Sequence, residues 1–298
     1  MSPARDKRDA ARARLVQHMA EKNAAAAKRK KLQRTVIASA LSVLVLAAAG
    51  FIGYLIFKPK PAVPVAGNCD AKYITPENQG GFNQNMVATG KPPGTQPGKG
   101  TQDFTLKLNT GDVVVQMDLN KAPCTAGSFA FLSSKNYFTN SVCHRLTTQG
   151  IYVLQCGDPS GTGAGGPSYE IADENLPEAG PDGTYMYPAG TVAMAEGGSG
   201  TPGSQFFICY EDTPLQPKYT RVGFISSGLD VVKAIAEKGA VTKEDPTKAA
   251  ENGDGTPKET VTVTGTVVGP VNPDGVPQNP WSQPATSGSP STEPSSGS

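Results

Sequence analysis

At 298 residues the chain can hold one large domain or two small ones. Hydrophobic residues make up 37%, and Gly 34 with Pro 26 about a fifth, which leaves apolar material for one core of roughly 150–200 residues and excludes packing along the whole length. The net charge of +1 conceals a split: residues 1–34 carry 11 Lys/Arg against 3 Asp/Glu, the remainder 16 against 23, so a basic head precedes an acidic body.

The head, 1–34, has a helix-forming Ala/Arg/Lys composition. It reads either as a topology signal or as a segment lying against anionic lipid, where each basic residue is worth about 1 kcal/mol. From Thr35 to Phe57 runs TVIASALSVLVLAAAGFIGYLIF, 23 residues without a charge and long enough for one transmembrane helix. Lys28, Arg29, Lys30, Lys31 and Arg34 precede it, so the positive-inside rule predicts a single-pass protein of the cell membrane, head in the cytoplasm and the rest outside. A cleaved signal peptide is the rival reading. Its apolar core would span about 7–15 residues, whereas here Ala47-Ala48-Ala49-Gly50 is followed by more apolar sequence, so an uncleaved anchor is expected.

All five cysteines (Cys69, Cys124, Cys143, Cys156, Cys209) lie beyond that run, where an oxidising compartment permits disulfides. The odd number leaves at least one free or paired with another chain. No C-x-x-C spacing occurs, so no metal site is expected. Two pairings stay open: Cys124, ahead of a helix, with Cys143, at the start of a strand; or Cys69 stapling the preceding spacer to the domain.

Residues 58–100, bounded by KPKPAVPVAG and KPPGTQPGKG, read as a Pro/Gly-rich spacer with room for a short ordered piece around Cys69–Ile74. The folded domain is predicted at 101–269. DFTLKL (103–108) and VVVQMDL (113–119) flank Asn109-Thr110-Gly111-Asp112, a hairpin signal. Pro123 and Thr125 open a helix that runs to about Ser134, with Phe129 and Leu132 on its apolar side. VCHRL and YVLQCGD are short strands, a Gly/Pro-rich stretch covers 157–190, and GTVAMA, SQFFICY and RVGFIS are again strand-like. Leu229–Lys238 has helical spacing, ended by Gly239. VTVTGTVV (261–268) is the last strand. Residues 270–298, Pro/Ser/Gly-rich with one aromatic residue, have the composition of a disordered tail. About eight short strands and two helices predict a mainly β fold: a closed eight-stranded antiparallel barrel capped by two helices.

The chemistry-bearing residues are few. No P-loop or nucleophile elbow is present. The histidines are His18 and His144 alone, so a Ser-His-Asp site would rest on His144, which reads instead as a core residue beside a functional arginine. Residues 161–166 fit G-x-G-x-x-G, but that fingerprint must open a helix and Pro167-Ser168 follows, so a surface loop is expected.

The informative segments come as a set: KAPCTAGSFAFL (121–132), CHRLTTQGIYVLQCGDPSGTGAGG (143–166), GTVAMAEGGSGTPGSQFFIC (190–209) and KYTRVGFISSGLDVVKAIAEKG (218–239). In order and spacing they resemble the cyclophilins over 103–268, and HRLTTQGIYVLQCGDP is most similar to the membrane-anchored cyclophilins of actinobacteria. The resemblance implies a peptidyl-prolyl cis-trans isomerase barrel. Arg145 matches the family's catalytic arginine, Gln155 the glutamine that hydrogen-bonds the substrate backbone, and Phe207 the floor of the proline pocket. Tyr152, Val153 and Leu215 take pocket positions. Ala195 and Glu196 match the strand segment beside the peptide, Gln205 a polar residue behind the arginine, and Tyr219 the pocket rim. Two departures stand out. TTQGI is two residues longer than the usual eukaryotic loop, which leaves open whether Ile151 or Tyr152 lines the pocket. A tryptophan used by many cyclophilins to contact cyclosporin is missing, with Pro214 near its place, so weak cyclosporin binding is expected. The expected partners are Pro-containing polypeptides and, through 35–57, the membrane; no cofactor and no nucleic acid are expected, and a monomer is. The expected role is a foldase for exported proteins. Two alternatives come from other classes: a tethered module that binds Pro-containing segments without need of turnover, and an envelope protein acting through its Pro-rich tail.

Overall fold

Period-two alternation dominates the domain. In the computed structural model, which describes residues 65–66, 69–74, 84–196 and 202–277, most of these alternating segments join one ten-stranded antiparallel sheet. Its members are β1 (Thr101–Leu108), β2 (Gly111–Asp118), β3 (Arg145–Thr147), β4 (Val153–Cys156), β5 (Thr191–Glu196), β6 (Pro202–Cys209), β7 (Arg221–Ser227), β8 (Ala240–Val241), β9 (Asp254–Pro257) and β10 (Val263–Asn272). The order is β8-β9-β3-β4-β6-β5-β7-β2-β1-β10. Helices α1 (Pro123–Ser134) and α2 (Leu229–Glu237) lie where the sequence places them. The 109–112 signal forms the tight β1–β2 turn, with Leu108 opposite Gly111. The transmembrane expectation for 35–57, the head and most of the tail lie outside the described residues. Among the described residues no helix is long and apolar enough to cross a membrane.

The expected closed eight-stranded barrel is corrected: the sheet has ten strands and an open order. β9 is the reason. It takes the edge of β3, pairing Gly255 with Leu146 and Asp254 with Thr147. That leaves β10 only the stretch ahead of β3, where a single bridge joins Val142 to Thr262 and backbone bonds tie Cys143 to Val261 and Val263 to Ser141.

One face of the sheet and the inner sides of the helices enclose the main core. Phe104, Phe129, Phe138 and Phe206 meet there at centroid separations of 5.1–6.2 Å. Helix α1 has no side-chain N-cap of its own. The Glu174 carboxylate substitutes, accepting from the backbone N–H of Cys124 and Thr125 at 3.1 and 2.8 Å, where a helix N-terminus favours a negative charge.

The spacer is more ordered than its composition suggests. Cys69 is bonded to Cys124, so the stapling alternative holds and the Cys124–Cys143 pairing does not; Cys143 is bonded to Cys156. Lys72–Tyr73 pairs with Tyr169–Glu170, and Met86–Val87 runs parallel to Gly166–Pro167. Cys69, Ala71 and Gln96 are buried. Cys209 is the free thiol, buried in the sheet. At the other end β10 carries strand structure past the predicted stop, to Asn272.

Candidate active site

Five strands place one row of side chains on the sheet face opposite the core. Arg145 is directly across from Gln155, Gln155 from Phe207, Phe207 from Ala193 and Ala193 from Arg221. Cross-strand partners share a face, so the register itself assembles the site. Around the row a second apolar cluster gathers Val153, Tyr187, Ala193, Ala195, Phe207 and Cys209, with Tyr185, Leu215 and Tyr219 packed on it. Phe207 meets Tyr219 edge to face at 5.3 Å.

Part of this face lines a cleft of about 610 Å³. It brings together Arg145, Val153, Gln155, Ala195, Glu196, Phe207, Leu215 and Tyr219 of the expected residues. A β-bulge between Met194 and Glu196 breaks the β5–β6 ladder there and re-aims the end of β5 at the cleft. Gln205 lies behind the row, 8% exposed. It accepts from Gln155 Nε2 at 2.9 Å and donates to the carbonyls of Gly163 and Gly165, which fixes the Gln155 amide.

Tyr152 is placed elsewhere. Ile151, not Tyr152, lines the cleft; Tyr152 packs on the main core with its ring 6.0 Å from Tyr210. Period two requires this: with Val153 and Gln155 facing the cleft, Tyr152 and Leu154 face away. The 161–166 stretch is a loop followed by extended Gly166–Pro167, as its sequence implies.

The electrostatics centre on Arg145. Its Nε and Nη2 donate to the two carboxylate oxygens of Asp254 at 2.8 and 2.7 Å, and Nη1 reaches Gln155 Oε1 at 3.4 Å. The carboxylate's hydrogen bonds push the arginine pKa up, and the guanidinium holds Asp254 below its ordinary value. A second pair, Lys218 with Glu196, stands at the rim. His144 also lines the cleft, half-buried; burial lowers its pKa, and its Nδ1 has no hydrogen-bond partner. Among the described residues no cluster of metal-ligating side chains occurs.

Sequence reasoning missed two contributors. Asp254 sits in ENGDGTP, which reads as loop, and no local signal links it to an arginine 109 positions away. Tyr187 sits in the Gly/Pro-rich stretch. It is fully buried, and its hydroxyl bonds the backbone of Gln216 and Tyr219, tying the pocket wall together. The alternation in YMYP was the available signal.

The family described as cyclophilin type peptidyl-prolyl cis-trans isomerase/CLD matches residues 101–268, more than half of the chain, and the chain belongs to that family. It is similar to the probable peptidyl-prolyl cis-trans isomerase B of Mycobacterium tuberculosis (strain ATCC 25618 / H37Rv), with 36% identity over 215 residues, 69% of this chain and 65% of that protein. With that of Mycobacterium leprae (strain TN), identity is 39% over 171 residues, 55% of each chain. The chain thus spans less than two thirds of the length of these relatives. A solved Cryptosporidium parvum cyclophilin type isomerase matches with a TM-score of 0.44 and 25% identity, over 58% of this chain and 99% of that one.

Proposed function

We propose that the chain catalyses cis-trans isomerisation of X-Pro bonds in polypeptides. The observation that carries this reading is the cross-strand row that sets a held guanidinium, Arg145, beside an apolar floor, Phe207, in one cleft. Rotation about the prolyl amide faces a barrier of about 18–20 kcal/mol because the C–N bond is partly double. No proton or covalent bond has to move, so the site needs no general base. It has to stabilise the twisted amide, whose nitrogen gains a lone pair. Arg145 donates toward the prolyl amide, and preorganised donors of this kind supply several kcal/mol. Phe207, Leu215, Val153 and Ile151 hold the ring while the preceding residue turns. Gln155, fixed through Gln205, and the backbone of Ala195 and Glu196 hold the peptide on either side.

We further propose that residues 35–57 anchor the chain in the cell membrane with the domain outside, where it acts on exported proteins. The charge-free run and its basic flank support this, and the two disulfides suit an oxidising compartment.

The test is a protease-coupled or NMR exchange assay on the full chain in mild detergent, with Arg145→Ala beside it. The expected result is a rate gain by the parent and a loss of roughly 10²–10³-fold in kcat/KM for the variant, the size seen when one preorganised donor is removed. Peptide binding with no rate gain would reject catalysis and leave a binding module.

A further inference from the structure

We propose that Asp254 is a positioning residue for the reaction: it locks the Arg145 guanidinium side-on and leaves the outer edge free to donate to substrate. This deepens the isomerase reading and rests on it. An arginine has five N–H groups. Here the Nε and one Nη2 hydrogen go to Asp254 and one Nη1 hydrogen to Gln155 Oε1, which leaves two, one on each terminal nitrogen. The stem is flexible and half-exposed, so without a carboxylate the fork would sample several orientations. A bidentate carboxylate selects one.

Asp254 is itself held on a strand. β9 pairs it opposite Thr147, diagonal to Arg145 on β3, and its backbone N–H donates to Asn252 Oδ1 at 3.1 Å. The turn before it closes through Gly253, whose carbonyl accepts from the Thr148 N–H at 2.8 Å. Gly253 has φ +70°, and a Cβ there would stand 2.8 Å from both Thr148 Oγ1 and Gln149 Cγ, so the close approach needs glycine. The same β9 that keeps β10 off the edge of β3 thus delivers the carboxylate to the arginine.

The experiment compares the full-length parent with Asp254→Ala, Asp254→Asn, Arg145→Ala and the Arg145→Ala/Asp254→Ala double variant in the exchange assay, with thermal midpoints measured alongside. Asp254→Ala is expected to lose roughly ten- to a hundredfold in kcat/KM, the scale of a misplaced group, with the loss in kcat and KM within twofold. Asp254→Asn, which keeps the shape and one acceptor, falls between. On the Arg145→Ala background the Asp254 change costs nothing further, because its effect runs through the arginine. Exposed pairs add little stability, so midpoints stay close; were Asp254→Ala to melt, Asp254→Asn would carry the test. An active parent with Asp254→Ala within twofold of it, or a loss that persists undiminished without Arg145, overturns the positioning role alone. An inactive parent overturns the isomerase reading and this inference together.

Discussion

Strands β4, β5 and β6 each contribute to two apolar clusters that differ in kind. Leu154, Cys156, Val192, Met194, Phe206 and Ile208 face the main core, where phenylalanines pack on phenylalanines and Phe206 is fully buried. Their immediate neighbours Val153, Ala193, Ala195 and Phe207 lie on the cleft side, beside Tyr187, whose hydroxyl bonds backbone, and near the Arg145–Asp254 pair. The difference shows how a domain separates stability from function at one-residue spacing. The core side is closed, with its tyrosine hydroxyls paired internally; the cleft side ends its apolar cluster at a charged rim that water can reach.

The sharpest way to break this contrast is Phe206→Ala against Phe207→Ala. Phe206→Ala leaves a closed cavity and is expected to cost about 3–5 kcal/mol in urea unfolding. Phe207→Ala opens onto the cleft, where water can enter, and should cost roughly half that, yet lose more activity per folded molecule. Equal stability losses with activity unchanged in both would erase the distinction. Next in size are the disulfides. Removing Cys69–Cys124, which spans 55 residues, by a double Ser substitution should cost about 4 kcal/mol of chain entropy, and Cys143–Cys156, spanning 13, about 3. Only the second is expected to lower kcat as well, since it ties the approach to Arg145 to the strand of Gln155.

A smaller effect depends on pH. Burial holds the folded His144 pKa below its ordinary 6.5 against the pull of Asp158, with Lys243 and Arg145 reinforcing the shift. The unfolded chain therefore takes up the proton first as pH falls, and stability present above about pH 6.5 is lost as pH drops through the folded value. Urea midpoints of the domain should decline below pH 6.5 in the parent and stay flatter in His144→Gln; parallel curves would show that another group carries the slope. The smallest effect tests the pocket itself. Tyr152→Phe should leave kcat/KM within twofold, whereas Ile151→Ala should raise KM several-fold, less than the roughly tenfold or more per methylene of a closed apolar pocket because Ile151 is partly exposed. The reverse ranking would put Tyr152 back in the site.

Much of this was legible in the sequence. Alternation and turn residues mark the 109–112 hairpin, Pro123 and apolar spacing mark α1, spacing ended by Gly239 marks α2, and the 143–166 and 190–209 segments carry Arg145, Gln155 and Phe207. What escaped depends on long-range encounters. Asp254 acquires its role only when β9 meets β3 across more than a hundred residues, and the same pairing turns a closed barrel into an open sheet. The Cys69 staple stood in the sequence only as one of two open pairings, because its Cys124 partner is fixed by a Pro/Gly-rich segment lying down on the domain. Tyr152 was misplaced by a longer loop that obscured the parity of β4; once Gln155 is fixed, counting back by two settles it.

The site is addressed by register: Arg145, Gln155 and Phe207 stand at paired positions on β3, β4 and β6. A single-residue insertion inside any of them would swap its cleft residue for a core residue and scatter the row. Insertions between strands shift nothing, which is why the lengthened turn that holds Gln149 and Gly150 coexists with an intact Arg145–Gln155 pairing. For anyone remodelling this protein, the turn at Gln149 and Gly150 is open to a change of length, the turn through Gly253 is not, and the strands tolerate exchange of residues but not a change in their number.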